Sequence, residues 1–490
     1  MVNKCKKVIK DKLFALKAKN KKFASSIFKK TEVSIYLKDF HERFVICPID
    51  KAGNNFGIIC KKYYIDVLKK ELGINNNLGI KGNDVYLPVH QHKDDILNFH
   101  ENYLLQNCNI KTSDKDHSLP LIFWIPKLHK NPYKSRFIAG ASNCSTKQLS
   151  VEVTLCLITI RKHFHKYCSA IQRYTGINCF WSINNSMEFI SKIKNLKAKS
   201  IHTFDFSTLY TNLPLQKVKL ILEKIIIKMF KHSAHKYINI NVFNKTSFWS
   251  EKMKKENNWK SYTIGQLIDA IHFLLDNTFV TFGCHIFQQI NGIPMGSNCS
   301  PLLADLYLTW LEFEFMQNLM KTDFHLAKKL SFISRYIDDI ACPNVENFFE
   351  IANKIYPKEI PLKSNDVDPY HDVFLDLDIK IIDNSFVTKI YHKIDDFNFE
   401  VVNYPFPDSN ISVKLGYNTF LSQILRFSRV SDKFIDFAFR VKFTYNKLIS
   451  RGYETRLLKK YFNTFCCRHP EFVLKYGFSN FNTFWLSITS

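Results

Sequence analysis

Two adjacent carboxylates are where this chain could do chemistry: Tyr336-Ile337-Asp338-Asp339, set between the apolar runs 331–337 and 340–343. The pattern reads as a β-hairpin with both aspartates at its tip. Adjacent like charges repel, so a fold that concentrates them usually offers a divalent cation in return. Carboxylates holding a pair of Mg²⁺ ions are a standard means of in-line displacement at phosphorus. Taken alone, Tyr-x-Asp-Asp is also an ordinary acidic turn, so the rest of the chain has to supply the context.

Asp205 lies near the end of the expected strand Ile201-His202-Thr203-Phe204-Asp205-Phe206. If that strand neighbours the Asp338-Asp339 hairpin in one sheet, three carboxylates converge. Two Mg²⁺ roughly 4 Å apart, with Mn²⁺ as a substitute, would then bridge a primer 3′-hydroxyl and a nucleotide α-phosphate. A triphosphate also needs positive charge from above. Residues 121–127 read as a strand, Asn131-Pro132-Tyr133 as a turn and 136–139 as the returning strand. This puts Lys127, a point charge, and Arg136, a bidentate phosphate clamp, on neighbouring strands. Gly292 and Gly296 bracket Pro294 and would permit close backbone approach to a base pair or template.

Other elements must position these groups. Asn212 is expected to cap a helix whose first turn contains Pro214. Leu215, Val218, Leu222, Ile225, Ile226 and Met229 follow at helical spacing. Residues 232–262, rich in Lys and Asn, read as a polar insertion or mobile loop. Helices are expected at 263–277, 301–320 and 345–355. Strict alternation over 374–381 predicts one half-buried strand, which Asp383-Asn384 turns into 386–391. Residues 396–490 look mostly helical, aromatic and basic. Short β-rich runs between 44 and 60 surround the turn-like cluster Asp50-Lys51-Ala52-Gly53-Asn54-Asn55. Residues 1–40 are dense in lysine, either a basic arm for phosphate or a solvated helix face.

At 490 residues the length prior is about three domains or subdomains. A hydrophobic content of 46% allows packed cores and argues against wholesale disorder. The formal net charge of +25 points to a polyanionic partner, nucleic acid ahead of a membrane surface. The 13 cysteines show no Cys-x-x-Cys spacing, which fits free thiols in a reducing, intracellular compartment. His163, His165 and Cys168 lack a fourth partner at zinc-like spacing, so a surface helix is expected there. The longest apolar run, 151–160, contains Glu152 and is too short to span a bilayer. No apolar secretory signal is expected at the N-terminus.

Together these segments resemble a reverse transcriptase, and within that class the Penelope-like retroelement polymerases, relatives of telomerase reverse transcriptase. The resemblance runs in order from about residue 44 to about residue 470. Asp50-Lys51 resembles the family's upstream Asp-Lys motif. Ile125-Pro126-Lys127-Leu128-His129-Lys130 with Arg136-Phe137-Ile138 resembles the fingers motifs. Phe204 through Pro214, with its Leu209-Tyr210-Thr211-Asn212 segment, resembles motif A. Gly292 to Ser297 with Ser300-Pro301 resembles motif B, Met295 standing where many other members carry Gln. Tyr336 to Asp339 resembles motif C. Phe374 to Lys380 resembles the following palm strand, and Gln423 to Phe427 falls in the thumb-like region.

The resemblance implies an α+β right-hand fold of fingers, palm and thumb, with an antiparallel palm sheet packed on helices. Its divisions would be a basic helical extension at 1–40, an N-terminal region and fingers at 41–199, a palm at 200–395 and a thumb at 396–490. It implies an RNA-directed DNA polymerase that extends a DNA primer on an RNA template with dNTPs and two Mg²⁺, without a membrane. Asp205, Asp338 and Asp339 would be the metal ligands. Lys363 would protonate the departing pyrophosphate. Lys127, Arg136, Tyr210, Met295, Gly296 and Tyr336 would bind substrate. On residues alone Tyr210 is a core aromatic; within the family it would close the space of a ribose 2′-hydroxyl. Many members carry a C-terminal GIY-YIG endonuclease, and no such pattern follows the thumb-like region here. Target cleavage would then come from a separate endonuclease, or priming would use existing DNA ends. Nuclear residence after cytoplasmic synthesis is implied as well. The alternatives are a catalytically idle or domesticated nucleic-acid-binding protein that keeps the fold, and an RNA-templated RNA polymerase.

Overall fold

The computed structural model describes residues 37–75 apart from 39, then 79–365 and 368–489. Nearly all of the expected basic extension, 1–36, lies outside the described residues. The strand Ile201–Phe206 is buried along almost its whole length, the mark of a central strand. It pairs antiparallel with Asp339–Pro343 on one side and Leu362–Ser364 on the other, and Ser334–Tyr336 completes the four-stranded sheet. Side chains alternate across it. Phe204, Phe206, Ile340 and Cys342 therefore enter one core, with the helices Lys147–Thr175, Leu215–Ser233, Ile264–Asp276 and Ser300–Thr322. Ile201 and Ala341 enter a second core. That core is built by the C-terminal helices Lys414–Val430, Phe434–Ile449, Thr455–Arg468 and Phe481–Thr489.

A separate five-stranded sheet has the order Tyr86–Val89, His285–Gln289, Phe279–Phe282, Leu121–Lys127, Lys134–Gly140. A parallel contact, Thr281 with Leu121, joins its two hairpins. The hairpin around 279–289 thus belongs with the strands that carry Lys127 and Arg136, not with the carboxylate sheet as the 200–395 division implies.

Several local expectations are corrected. Pro214, not Asn212, is the N-cap of Leu215–Ser233. Asn212 closes the one-turn helix Leu209–Asn212, which the buried Leu209 and Leu213 fix against the core. The alternating run 374–381 breaks into His371–Phe374 and Leu377–Ile382. Leu375 turns the chain with φ 59°, and Arg426 of the thumb-like region clamps the turn through Asp376 Oδ2 at 2.8–2.9 Å. The stretch carrying His163, His165 and Cys168 is the expected surface helix, with Lys162, His165 and Lys166 exposed and Phe164 and Cys168 turned into the core. Among the described residues, no helix is long and apolar enough to cross a membrane.

A further correction concerns 232–262, which forms an ordered three-stranded sheet, Thr246–Ser250, Tyr237–Asn241 and Trp259–Tyr262. Its order follows from Glu152, a carboxylate with no exposure inside the long helix. A buried charge requires a partner. Lys260 supplies one at 2.8 Å, and the Tyr262 hydroxyl donates to the other oxygen at 2.6 Å.

The loop between the five-stranded sheet and Ser300–Thr322 is held by backbone contacts at two glycines. Gly292 has φ 73°, and a Cβ there would overlap the Tyr210 carbonyl. Gly296 has φ 138°, and a Cβ there would overlap the Ala139 carbonyl. The close approach expected toward a template is therefore toward the chain's own backbone. Gly296→Ala should cost about 2–4 kcal/mol of unfolding free energy, read as a lower urea midpoint at unchanged m.

Candidate active site

The register sets the site. Asp205 lies directly opposite Asp339 on one neighbour and Lys363 on the other. Paired residues share a face of a sheet, so the two carboxylates and the ammonium stand side by side at one sheet end. Tyr336 pairs with Asp339 across a two-residue turn, Ile337-Asp338. Asp338 therefore occupies the turn, while Asp339 is the first residue of its strand. Ile337 takes φ 56°, an outlying conformation for a β-branched residue. Such a turn persists only when its surroundings over-determine it.

Arg335 provides that determination. Its side chain has no exposure. Nη1 donates to the Ile337 carbonyl at 3.1 Å and to Asp305 Oδ1 at 2.8 Å. Nη2 donates to Thr309 Oγ1 at 2.8 Å and Glu312 Oε2 at 3.2 Å, and Nε donates to Glu312 Oε1. Asp305 is shared with Arg161, whose Nε reaches Oδ2 at 2.6 Å. The Phe206 amide holds the Asp338 carbonyl at 3.2 Å from the neighbouring strand. Asp305, Thr309 and Glu312 lie on successive turns of the helix Ser300–Thr322, so one helix face grips the hairpin from behind.

The acidic groups act on one another. Burial, then the Asp338 charge, pushes Asp339 up to about 7, against Lys393. Burial and Asp338 also raise Asp205, while Lys130, Lys127 and Lys363 pull it down. Among the described residues, no three His, Cys, Asp or Glu side chains converge tightly enough to cage an ion as they stand. The donor set, carboxylates in register beside a third in the turn, is nevertheless the kind a hard divalent cation takes.

The remaining predicted residues surround this end. Ile125 pairs with Arg136, which puts Lys127 and Arg136 diagonally on one face of their hairpin. Lys127 is half-buried, and desolvation and Arg136 lower its pKa while Asp50 and Asp205 raise it, so it stands within the field of the carboxylates. Burial and Asp338 push the Tyr210 hydroxyl up to about 12, which sets its ring beside the same turn. The Tyr210 carbonyl accepts from the Ile293 amide at 2.7 Å. Met295 and Gly296 meet the strand Lys134–Gly140, where the Ala139 amide donates to the Met295 carbonyl at 2.7 Å. Tyr336 is half-buried opposite Asp339. Sequence reasoning missed Arg335, Asp305, Lys130 and Lys393. An arginine directly preceding Tyr336 inside an apolar strand was the available signal for the first; the lysines are lost among many.

No family model matches the chain, and no curated protein matches it in sequence. Similar folds are found among solved structures. The telomerase from Candida albicans, solved with a fragment of telomeric RNA, is 11% identical with a TM-score of 0.53, covering 92% of this chain and 68% of that one. Apo telomerase from Candida tropicalis is 11% identical at a TM-score of 0.46, covering 99% and 79%. The BmCPV RNA-dependent RNA polymerase is 11% identical at 0.36, covering 69% and 27%. The chain has a telomerase-like fold, and the first of these likenesses carries that statement.

A pH dependence follows from Asp339. Between its ordinary value of 3.8 and about 7, the folded chain binds a proton that the unfolded chain has released. Stability of the ion-free protein therefore falls as pH rises through that window. In EDTA, Asp339→Asn should flatten this fall and raise Tm at pH 8 by about 2–4 °C. A variant that melts below wild type at pH 8 would show that the carboxylates do not strain one another.

Proposed function

We propose that this chain is an RNA-directed DNA polymerase of the Penelope-like kind, extending a DNA primer on an RNA template with dNTPs. The observation that carries the proposal is the register Asp339–Asp205–Lys363, with Asp338 in the adjoining turn. The telomerase-like fold supports it, as does the RNA fragment bound by the Candida albicans protein. The net charge of +25 suits a template and primer.

Asp205, Asp338 and Asp339 would hold two Mg²⁺, which when bound lower the pKa of the primer hydroxyl and neutralise the leaving pyrophosphate. Lys127 and Arg136 hold triphosphate oxygens, one as a point charge and one as a planar fork. Lys363, one strand over from Asp205, hands a proton to the departing pyrophosphate. The Tyr210 ring, beside Asp338, fills the space a ribose 2′-hydroxyl would need. Nuclear residence completes the reading.

Primer extension on an RNA template tests it. Wild type should incorporate dNTPs with Mg²⁺, and Asp338→Asn should lose at least about a hundredfold in rate while keeping template binding. Template binding by a folded wild type that never extends a primer would favour an idle binding protein instead. Tyr210→Ala should raise ribonucleotide incorporation relative to dNTPs by about tenfold or more. Unchanged selectivity would remove the gate from Tyr210.

A further inference from the structure

The dipeptide Asp50-Lys51 has no part in the mechanism above, yet its placement is unusual. The strands Phe44–Ile49 and Ala52–Cys60 form an antiparallel hairpin whose register ends at Ile49 with Ala52, so Asp50-Lys51 is its two-residue tip. The tip is pinned to the phosphate-facing strand, because the Asp50 amide donates to the Pro126 carbonyl at 3.0 Å, next to Lys127. Its other side is fixed to the chain leading to the C-terminal helices. Asn55 exchanges hydrogen bonds with the Glu400 carbonyl at 3.0 Å and the Val402 amide at 2.9 Å, and Ile49 and Ala52 pack on Val401.

Three features of this tip are costly for a mere turn. Lys51 adopts φ 64°, which L side chains rarely take. Asp50 is only 5% exposed, and an isolated buried carboxylate is unfavourable by several kcal/mol. Its Oδ2 has no hydrogen-bond partner and faces Arg136 Nη2 at a loose 3.5 Å, while the Arg136 Nε is likewise buried without a partner. The Lys51 charge acts on both Asp339 of the sheet and His129 of the phosphate-facing hairpin, as its place at the tip allows.

We propose that Asp50-Lys51 forms a further wall of the triphosphate site: Lys51 contacts the polyphosphate as an additional cation, and Asp50 is a positioning residue that aims Arg136 at it. This rests on the polymerase reading. A loose, half-satisfied ion pair fits the role, since Arg136 keeps donors free for phosphate oxygens while Asp50 limits where the guanidinium can turn.

The test titrates inorganic tripolyphosphate into the full chain by calorimetry, alongside KM for dNTP in primer extension. Lys51→Asn removes the charge and tolerates the left-handed backbone. It should bind tripolyphosphate about tenfold more weakly and raise KM about tenfold, with kcat within about twofold and Tm unchanged. Asp50→Asn should weaken binding in the wild-type background but have no further effect beside Arg136→Gln. Wild-type affinity in Lys51→Asn would overturn the proposal, as would an Asp50→Asn effect that persists undiminished beside Arg136→Gln. If Asp50→Asn does not fold, Lys51→Asn decides alone. Weaker tripolyphosphate binding by Lys51→Asn in a protein that never extends a primer would keep the tip and remove the polymerase reading. Normal extension with normal KM in Lys51→Asn would remove the tip alone.

Discussion

The guanidinium of Arg335 is the constraint on which the site depends. It is fully buried and faces Asp305, Glu312, Thr309 and the Ile337 carbonyl. Burial alone would lower its pKa, but Glu312 and Asp305 outweigh that and hold Arg335 above its ordinary value. Burial likewise pushes Asp305 up, and Arg335 with Arg161 more than offsets it. Two guanidinium groups against two carboxylates leave this cluster without net charge. Buried ion pairs of this kind contribute little net stability compared with apolar packing. What they contribute here is direction, because a planar fork with every donor engaged permits one placement of the turn it grips.

That placement matters because the carboxylate sheet separates two cores. One face of Ile201–Phe206 and its neighbours is filled by a group of helices that includes the one carrying Asp305 and Glu312. The other meets the core that includes the C-terminal helices, tied in by Arg426 on Asp376. A one-residue slip of the strand would exchange these faces and turn Asp205 away from Asp339. The apolar alternation that fixes the register therefore also fixes the chemistry. Phe204 and Phe206 cannot leave the first core without moving the carboxylate between them.

Much of this was legible in the sequence, and what was not has physical causes. Asp205, Asp338 and Asp339 could be named because each stands at the end of a short apolar run, a local signal. That Asp205 would face Lys363 depends on a long-range pairing with Leu362–Ser364, which leaves no local trace. The 232–262 segment reads as a loop by composition because it is rich in Lys and Asn and several of its buried residues are polar. Asn239 and Asn241 are buried, and Asn239 accepts from the Ser261 hydroxyl at 2.6 Å while its amide donates to the Lys252 carbonyl at 3.1 Å. The clue lay elsewhere, in Glu152, an acid inside an apolar run that had to find a cation. Alternation across 374–381 misled for a different reason, since a tight turn that keeps the period of two is invisible to a pattern of apolar residues.

Several unfavourable features of the molecule collect at one place. Ile337 holds a backbone conformation its side chain resists, Asp339 is held well above its ordinary range beside Asp338, and Asp50 is buried against a distant partner. By contrast, the fully buried charges of Glu152 and Arg335 are matched closely. Buried charges matched at Glu152 and Arg335 but left loosely matched around one sheet end point to a demand there beyond folding. Like charges in register, within the field of lysines on a second sheet, would be relieved by a ligand that brings both signs. On the proposed reading a polyphosphate with its divalent cations would be such a ligand, and it would join the strain at Ile337, the raised carboxyls and the unspent donors of Arg136 in one site.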